Sequence, residues 1–144
     1  MKTVAHILET KGSEVWSVRP SDSVFQALEL MADKGLGAVL VMEGDELMGI
    51  MSERDYARKV ILNDLTSKGT PVSEIMTSRV VVVPVEHTVE DCMAVMTDKH
   101  IRHLPVMDGD SVVGVVSIGD VVKAVISERE FMIEQLERYI QSSG

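Results

Sequence analysis

The sequence predicts an α+β fold: two pseudo-symmetric β-α-β-β-α units followed by an additional C-terminal helix. Three observations lead there. Shifted by 65 positions, residues 15–61 overlie residues 80–126 without a gap, and 15 of the 47 pairs are identical, against roughly three expected from ordinary composition. Within each copy the apolar residues change from short extended runs to helical spacing and back. A Gly/Asp turn then joins two further apolar runs in both copies. The identities include Gly49/Gly114, Ser52/Ser117 and Asp55/Asp120, so each copy carries the same Gly-x-x-Ser-x-x-Asp signature.

The elements follow in chain order. Residues 15–18 form a short strand ending before Arg19-Pro20, and residues 80–83 form its counterpart ending at Pro84, because proline cannot donate to a strand ladder. Ser21, Asp22 or Ser23 then caps a helix with Val24, Ala27, Leu28 and Met31 on one face. Thr88, Val89, Cys92, Met93 and Met96 repeat it. The apolar runs 38–42 and 47–51, and their copies 104–107 and 112–116, read as hairpins with little exposed face. The first strand and the one after the helix should be parallel, through a right-handed crossover.

A second helix starts at each Ser-x-x-Asp. In the first copy it fades into a linker at residues 63–71; in the second it continues or restarts over residues 128–140. There Met132, Ile133, Leu136 and Ile140 make an apolar stripe beside a charged face. A fainter repeat precedes the copies, with Val4, Ile7 and Leu8 resembling Val72, Ile75 and Met76 at an offset of 68. Residues 1–71 therefore read as one unit with its linker, and residues 72–144 as the second with the terminal helix.

Each unit alone would bury too little surface, so the two are expected to share one cooperative body. The ten methionines fill volume that a chain with 3% aromatic residues lacks, which favours core packing over a methionine-rich metal site. A net charge of −9 argues against nonspecific nucleic-acid binding and against an anionic membrane surface. No apolar run approaches a membrane span and the first ten residues do not read as a signal peptide. The single Cys92 aligns with Ala27 on an apolar helix face, so a buried thiol and a reducing cytoplasm are expected.

The signature itself suggests chemistry. A strand ending at Ser52 and a helix starting near Glu53 would aim backbone N–H groups and the positive end of the helix dipole at a cleft. Asp55 in the first turn offers two acceptor oxygens suited to a ribose cis-diol, and Ser52 can donate to a ribose or phosphate oxygen. Ser117 and Asp120 repeat the pair. The alternative is a capping box, with serine as N-cap and the acid at the third helical position. The two uses are compatible in different states.

Tandem β-α-β-β-α units with Gly-h-h-Ser-x-x-Asp after the last strand resemble the CBS domain family, named for a module of cystathionine β-synthase. The residues carrying the likeness are the two Gly-to-Asp motifs, Val72-Ser73-Glu74-Ile75-Met76-Thr77 and Arg102-His103-Leu104-Pro105-Val106. The resemblance covers roughly residues 3–127 and implies a stand-alone pair of the bacterial type, its units packed through their sheets. It further implies adenine clefts, one lined by residues 15–18 (Val15 and Val18 among them) with Gly37 and Ala38. The other would be lined by residues 80–83 (Val80, Val83) with Ile101, His103 and Pro105. For these apolar residues plain core packing explains the pattern equally well.

The copies depart from symmetry around this frame. Lys34-Gly35-Leu36-Gly37-Ala38 stands where the second copy has Lys99-His100-Ile101-Arg102-His103. Conversely, Arg54 and Arg58 stand where the second copy has Gly119 and Lys123. In pairs of this kind a ligand's phosphates lie close to the opposite unit, so the resemblance implies that Arg54, Arg102 and His103 converge on phosphate, with Arg58 nearby. A solvated helix face is the alternative for Arg54 and Arg58. His100-x-x-His103 is not expected to bind metal, since alternation along a strand separates the two rings.

The expected function is a non-catalytic sensor or regulatory module that binds an adenine nucleotide, AMP first, then ADP, ATP or NAD(H). S-adenosylmethionine fits the basic residues less well. The nucleotide is expected as a ligand and not as a catalytic cofactor, and no nucleophile–base arrangement is visible. A homodimer and an unidentified regulated protein are the expected partners. The competing readings are a constitutive interaction module with vestigial clefts, and an enzyme acting on a nucleotide.

Overall fold

The computed structural model describes residues 2–143. In chain order it contains α1 (Val4–Lys11), β1 (Ser17–Val18), α2 (Val24–Lys34), β2 (Ala38–Glu43), β3 (Glu46–Ser52) and α3 (Glu53–Asp55), the last running into a π-helical segment, Tyr56–Ile61. Then follow α4 (Val72–Ile75), β4 (Val83–Pro84), α5 (Val89–Lys99), β5 (His103–Asp108), β6 (Ser111–Ser117) and α6 (Ile118–Ser143). The mixed α/β class, with two three-stranded sheets and a C-terminal helix, is as the sequence predicts.

Each sheet places its central strand second in the chain, in the orders β1-β2-β3 and β4-β5-β6. β1 runs parallel to β2 and β4 parallel to β5, and β3 returns antiparallel to β2 with Ala38 opposite Ser52. The opening strands are shorter than expected: Val15 and Trp16 precede β1, and β4 contains Pro84 as its last residue. Proline is tolerated there because a strand end no longer needs its N–H. Consecutive residues Val39, Leu40 and Val41 are all buried, so both faces of the central strand are covered.

The helices start and stop where side chains satisfy their ends. Ser23 accepts the Gln26 N–H and Thr88 the Asp91 N–H, each in a capping box. α2 ends in left-handed Gly35 (φ 66°), and α5 ends in His100 forced into the same conformation (φ 56°). α2 buries Val24, Ala27 and Met31, and α5 buries Val89, Cys92 and Met96. α6 is one continuous helix through residue 128. Its counterpart in the first copy is not α-helical throughout: the π-helical segment ends with the Leu65 N–H on the Val60 carbonyl at 2.9 Å, five residues back. Lys59, which reaches the Ile75 carbonyl from this segment, stands where the second copy has Ala124.

The chain forms two compact units that cross the boundary between the sequence copies. One comprises Glu14–Val81 with Asp110–Val113; the other comprises Met1–Ser13, Val82–Gly109 and Gly114–Gly144. The helix preceding each copy therefore serves the other copy. α1 enters the unit of the second copy through Val4 N–H to His87 O (2.8 Å), Val89 N–H to Lys2 O (3.0 Å) and a Thr3–Thr88 bridge. α4 enters that of the first through Val72 N–H to Asp22 O (2.8 Å), Val24 N–H to Thr70 O (2.9 Å) and a Ser23–Pro71 bridge. The end of the predicted linker is thus built in, with Thr70 buried.

Candidate functional site

In the first copy, antiparallel pairing ends β3 at Ser52, whose extended backbone (φ −112°, ψ 167°) turns the chain into α3. The Ser52 hydroxyl oxygen accepts the Asp55 N–H at 3.2 Å, while Asp55 Oδ2 accepts the Ser52 N–H at 2.9 Å and its hydroxyl at 3.0 Å. Asp55 Oδ1 accepts the Thr77 hydroxyl at 3.3 Å and pairs with Lys59 Nζ at 3.2 Å. Lys59 also donates to the Ile75 carbonyl at 2.9 Å. Thr77 is fixed independently, because it exchanges backbone hydrogen bonds with Ile50 at 2.9 and 3.0 Å.

The second copy builds the same corner with a different clasp. Asp120 Oδ2 accepts the Ser117 N–H at 2.8 Å, and the Ser117 hydroxyl oxygen accepts the Asp120 N–H at 3.2 Å. The cation comes from α1: Lys11 Nζ lies 2.7 Å from Asp120 Oδ2 and 2.9 Å from the Val115 carbonyl. Partial burial pushes the Asp120 carboxyl up, but the Lys11 and Ser117 hydrogen bonds with the Lys11 charge outweigh it and hold the group below its ordinary value. Both corners thus adopt the capping arrangement, and both carboxylates already hold protein partners.

The neighbouring strand starts are joined to these corners by equivalent backbone bonds. Glu53 N–H donates to Gly37 O at 3.1 Å, and Ile118 N–H donates to Arg102 O at 2.8 Å. Two of the first-turn amides that the sequence would aim at a ligand are therefore taken in each copy. The structure brings Gly37, Ala38, Ser52 and Asp55 together in one corner, and Arg102, Ser117 and Asp120 in the other.

The other expected residues are distributed as follows. Val18 pairs with Val41, and Val83 with Val106; both are buried, as is Pro105 within β5. Val15, Val80 and Ile101 are half-buried, and Val80 belongs to the unit of the first copy. His103 opens β5 and is half-buried, whereas Arg54, Arg58 and Arg102 are exposed. Among the described residues no group of three or more His, Cys, Asp or Glu is placed to hold a metal, and no helix is long and apolar enough to cross a membrane.

Sequence reasoning missed Lys59, Thr77 and Lys11. Lys59 was accessible as an i, i+4 partner of Asp55, and Thr77 as the last residue of the segment Val72-Ser73-Glu74-Ile75-Met76-Thr77. Nothing in the local sequence marks Lys11. The Trp16 ring centroid lies 4.4 Å from Lys34 Nζ in a cation–π contact that no local spacing marks.

Comparison with known proteins gives a consistent picture. The CBS domain family model matches residues 4–62 and 72–127. A solved protein with CBS domains from Burkholderia ambifaria is 50% identical, with a TM-score of 0.86 over 88% of this chain and 95% of that one. The mitochondrial CBS domain-containing protein CBSX3 of Arabidopsis thaliana is 38% identical over 96% of this chain and 72% of its own. At 22% identity and a TM-score of 0.78, covering 89% of this chain and 98% of that one, the fold is shared with the CBS domain pair of protein MJ0100. That pair was solved with 5′-methylthioadenosine and S-adenosyl-L-methionine.

Proposed function

The chain belongs to the CBS domain family as a tandem pair, and from that premise we propose that it is a non-catalytic regulatory module for an adenine nucleotide. AMP is the first ligand, with ADP, ATP and NAD(H) next. The observation carrying this reading is the duplicated corner: a part-buried aspartate at a helix start, beside the backbone of the preceding strand start, in both copies. Ser52, Asp55, Ser117 and Asp120 are the proposed ribose and phosphate contacts. Arg54, Arg58, Arg102 and His103 are the proposed phosphate contacts. The base would lie against Val15, Val18, Gly37 and Ala38 in one copy, and Val80, Val83, Ile101 and Pro105 in the other.

The MJ0100 pair speaks for the capacity of the fold to hold adenosine-bearing molecules, and not for the choice among them. Ligand binding would favour one arrangement of the protein, which a regulated partner reads. The proposal includes a homodimer in the cytoplasm. Phe131, Met132, Ile133 and Leu136, each more than half exposed on α6, offer apolar surface for assembly.

Mass spectrometry of ligand released from freshly purified protein tests the reading directly, and AMP should raise the melting midpoint. At a hundredfold excess over Kd the expected stabilisation is about 2.7 kcal/mol, reduced in Asp55→Ala and in Asp120→Ala. A second reading, a constitutive interaction module with vestigial clefts, draws on the protein partners already held by both carboxylates. Absence of any released nucleotide, with no midpoint shift at millimolar AMP, would select it.

A further inference from the structure

The two aspartates differ in where their cation comes from. Asp55 takes Lys59 from its own helical segment, four residues on, and the second copy has Ala124 at that position. Asp120 instead takes Lys11, 109 residues away at the last turn of α1. This ammonium serves two acceptors that are separate in the first copy. It bonds the Val115 carbonyl, as the Thr77 backbone bonds Ile50, and it bonds Asp120, as the Thr77 hydroxyl bonds Asp55. α1 runs for eight residues where α4 stops after four, so a helix end occupies the place of the paired backbone.

Resting on the nucleotide-binding reading above, we propose that Lys11 is a ligand-displaceable latch: it ties the end of α1 to Asp120, and a cis-diol ligand entering the second copy takes the carboxylate and releases that end. Oδ2 already accepts both Lys11 and the Ser117 N–H, which fills its two lone-pair directions. A diol that engages both carboxylate oxygens therefore competes with the ammonium. The pair is open to exchange, with the Lys11 side chain 37% exposed and that of Asp120 18% exposed. Partly exposed pairs of this kind contribute little net stability.

Release is local. The start of α1 stays bound through Val4 to His87 and Ala5 to Val85, and Leu8 is buried, its methyl group 2.7 Å from where a Cβ on Gly114 would stand. Beyond Lys11 come exposed Gly12, at φ 99°, and Ser13, after which the chain passes into the other compact unit at Glu14. The freed segment is thus the covalent connection itself. In the first copy no such release follows, because Lys59 lies on the same element as Asp55 and Thr77 is held by its backbone.

The test uses full-length Asp55→Ala protein, which leaves the second copy as the ligand site, with and without Lys11→Met. Calorimetric titration with adenosine should show Lys11→Met tightening binding by about two- to fivefold, as expected for loss of one partly exposed competing pair. Hydrogen exchange at the Lys11 and Gly12 amides should quicken with adenosine, and in Lys11→Met without it, including in the otherwise wild-type protein. Weaker adenosine binding in Lys11→Met, a loss specific to AMP, or unchanged affinity and exchange each overturn the latch. If wild type binds but neither Asp55→Ala protein does, the latch fails while nucleotide binding by the first copy stands. If no variant binds adenosine or AMP, the functional reading itself fails and the latch with it.

Discussion

Lys11 and Asp120 meet at 2.7 Å across 109 residues of chain, joining the first helix to the last. The contact makes stability depend on acid. With the folded Asp120 carboxyl held below its ordinary value, its contribution is fully present above the ordinary carboxylate range and is lost as pH falls through the lowered value. Denaturant titrations of wild type and Asp120→Asn should differ most near neutral pH and converge in strong acid. A gap that widened on acidification would contradict the assigned pairing.

Gly49 and Gly114 are equivalent in sequence but face different obstacles. A Cβ at Gly49 would stand 2.9 Å from the Thr77 carbonyl and 2.7 Å from Met76 Sδ, whereas one at Gly114 would meet the Leu8 side chain at 2.7 Å. The Thr77 carbonyl is backbone that already accepts the Ile50 N–H, so it yields less readily than a leucine methyl. Gly49→Ala should cost about 1–3 kcal/mol and Gly114→Ala less, as read from urea midpoints.

Cys92 is fully buried on α5, and burial with the neighbouring Asp91 charge pushes its thiol up to about 11. The thiolate is the reactive form, so a maleimide should label native protein very slowly at pH 7 and promptly in urea. Rapid native labelling would mean that α5 opens readily.

The capping serines should prove structural. Ser52→Ala and Ser117→Ala each remove the acceptor for the aspartate N–H three residues on, at a cost of about 1 kcal/mol. That loss should appear in the absence of nucleotide. Unchanged stability would show that these caps contribute nothing to the fold.

Much of this architecture was legible beforehand for definable reasons. The hairpins declared themselves through apolar runs around Gly44 and Gly109, both at positive φ, and the helices through caps and one-sided spacing. The π-helical segment was not legible, because apolar spacing marks a helix face and leaves open whether each bond reaches four residues back or five. The shortness of β1 was hidden too: Val15 and Trp16 look like strand, yet the paired register with β2 covers only Ser17 and Val18, and Trp16 adds just its carbonyl, which accepts the Leu40 N–H at 3.3 Å. At the site, Ser52, Asp55, Ser117 and Asp120 stood out through repetition, and Lys59 was within reach of a local rule.

The sequence by itself determined the duplicated unit, its order of elements, the residues at each helix start and the membership of the family, since all of these are written in local pattern and repeated. Only the tertiary structure decided which leading helix serves which copy, and hence that Lys11 meets Asp120 while Thr77 meets Asp55. Those pairings depend on backbone bonds such as Val4 to His87 and Val72 to Asp22. Backbone groups are alike at every residue, so no side-chain pattern announces which of them will meet.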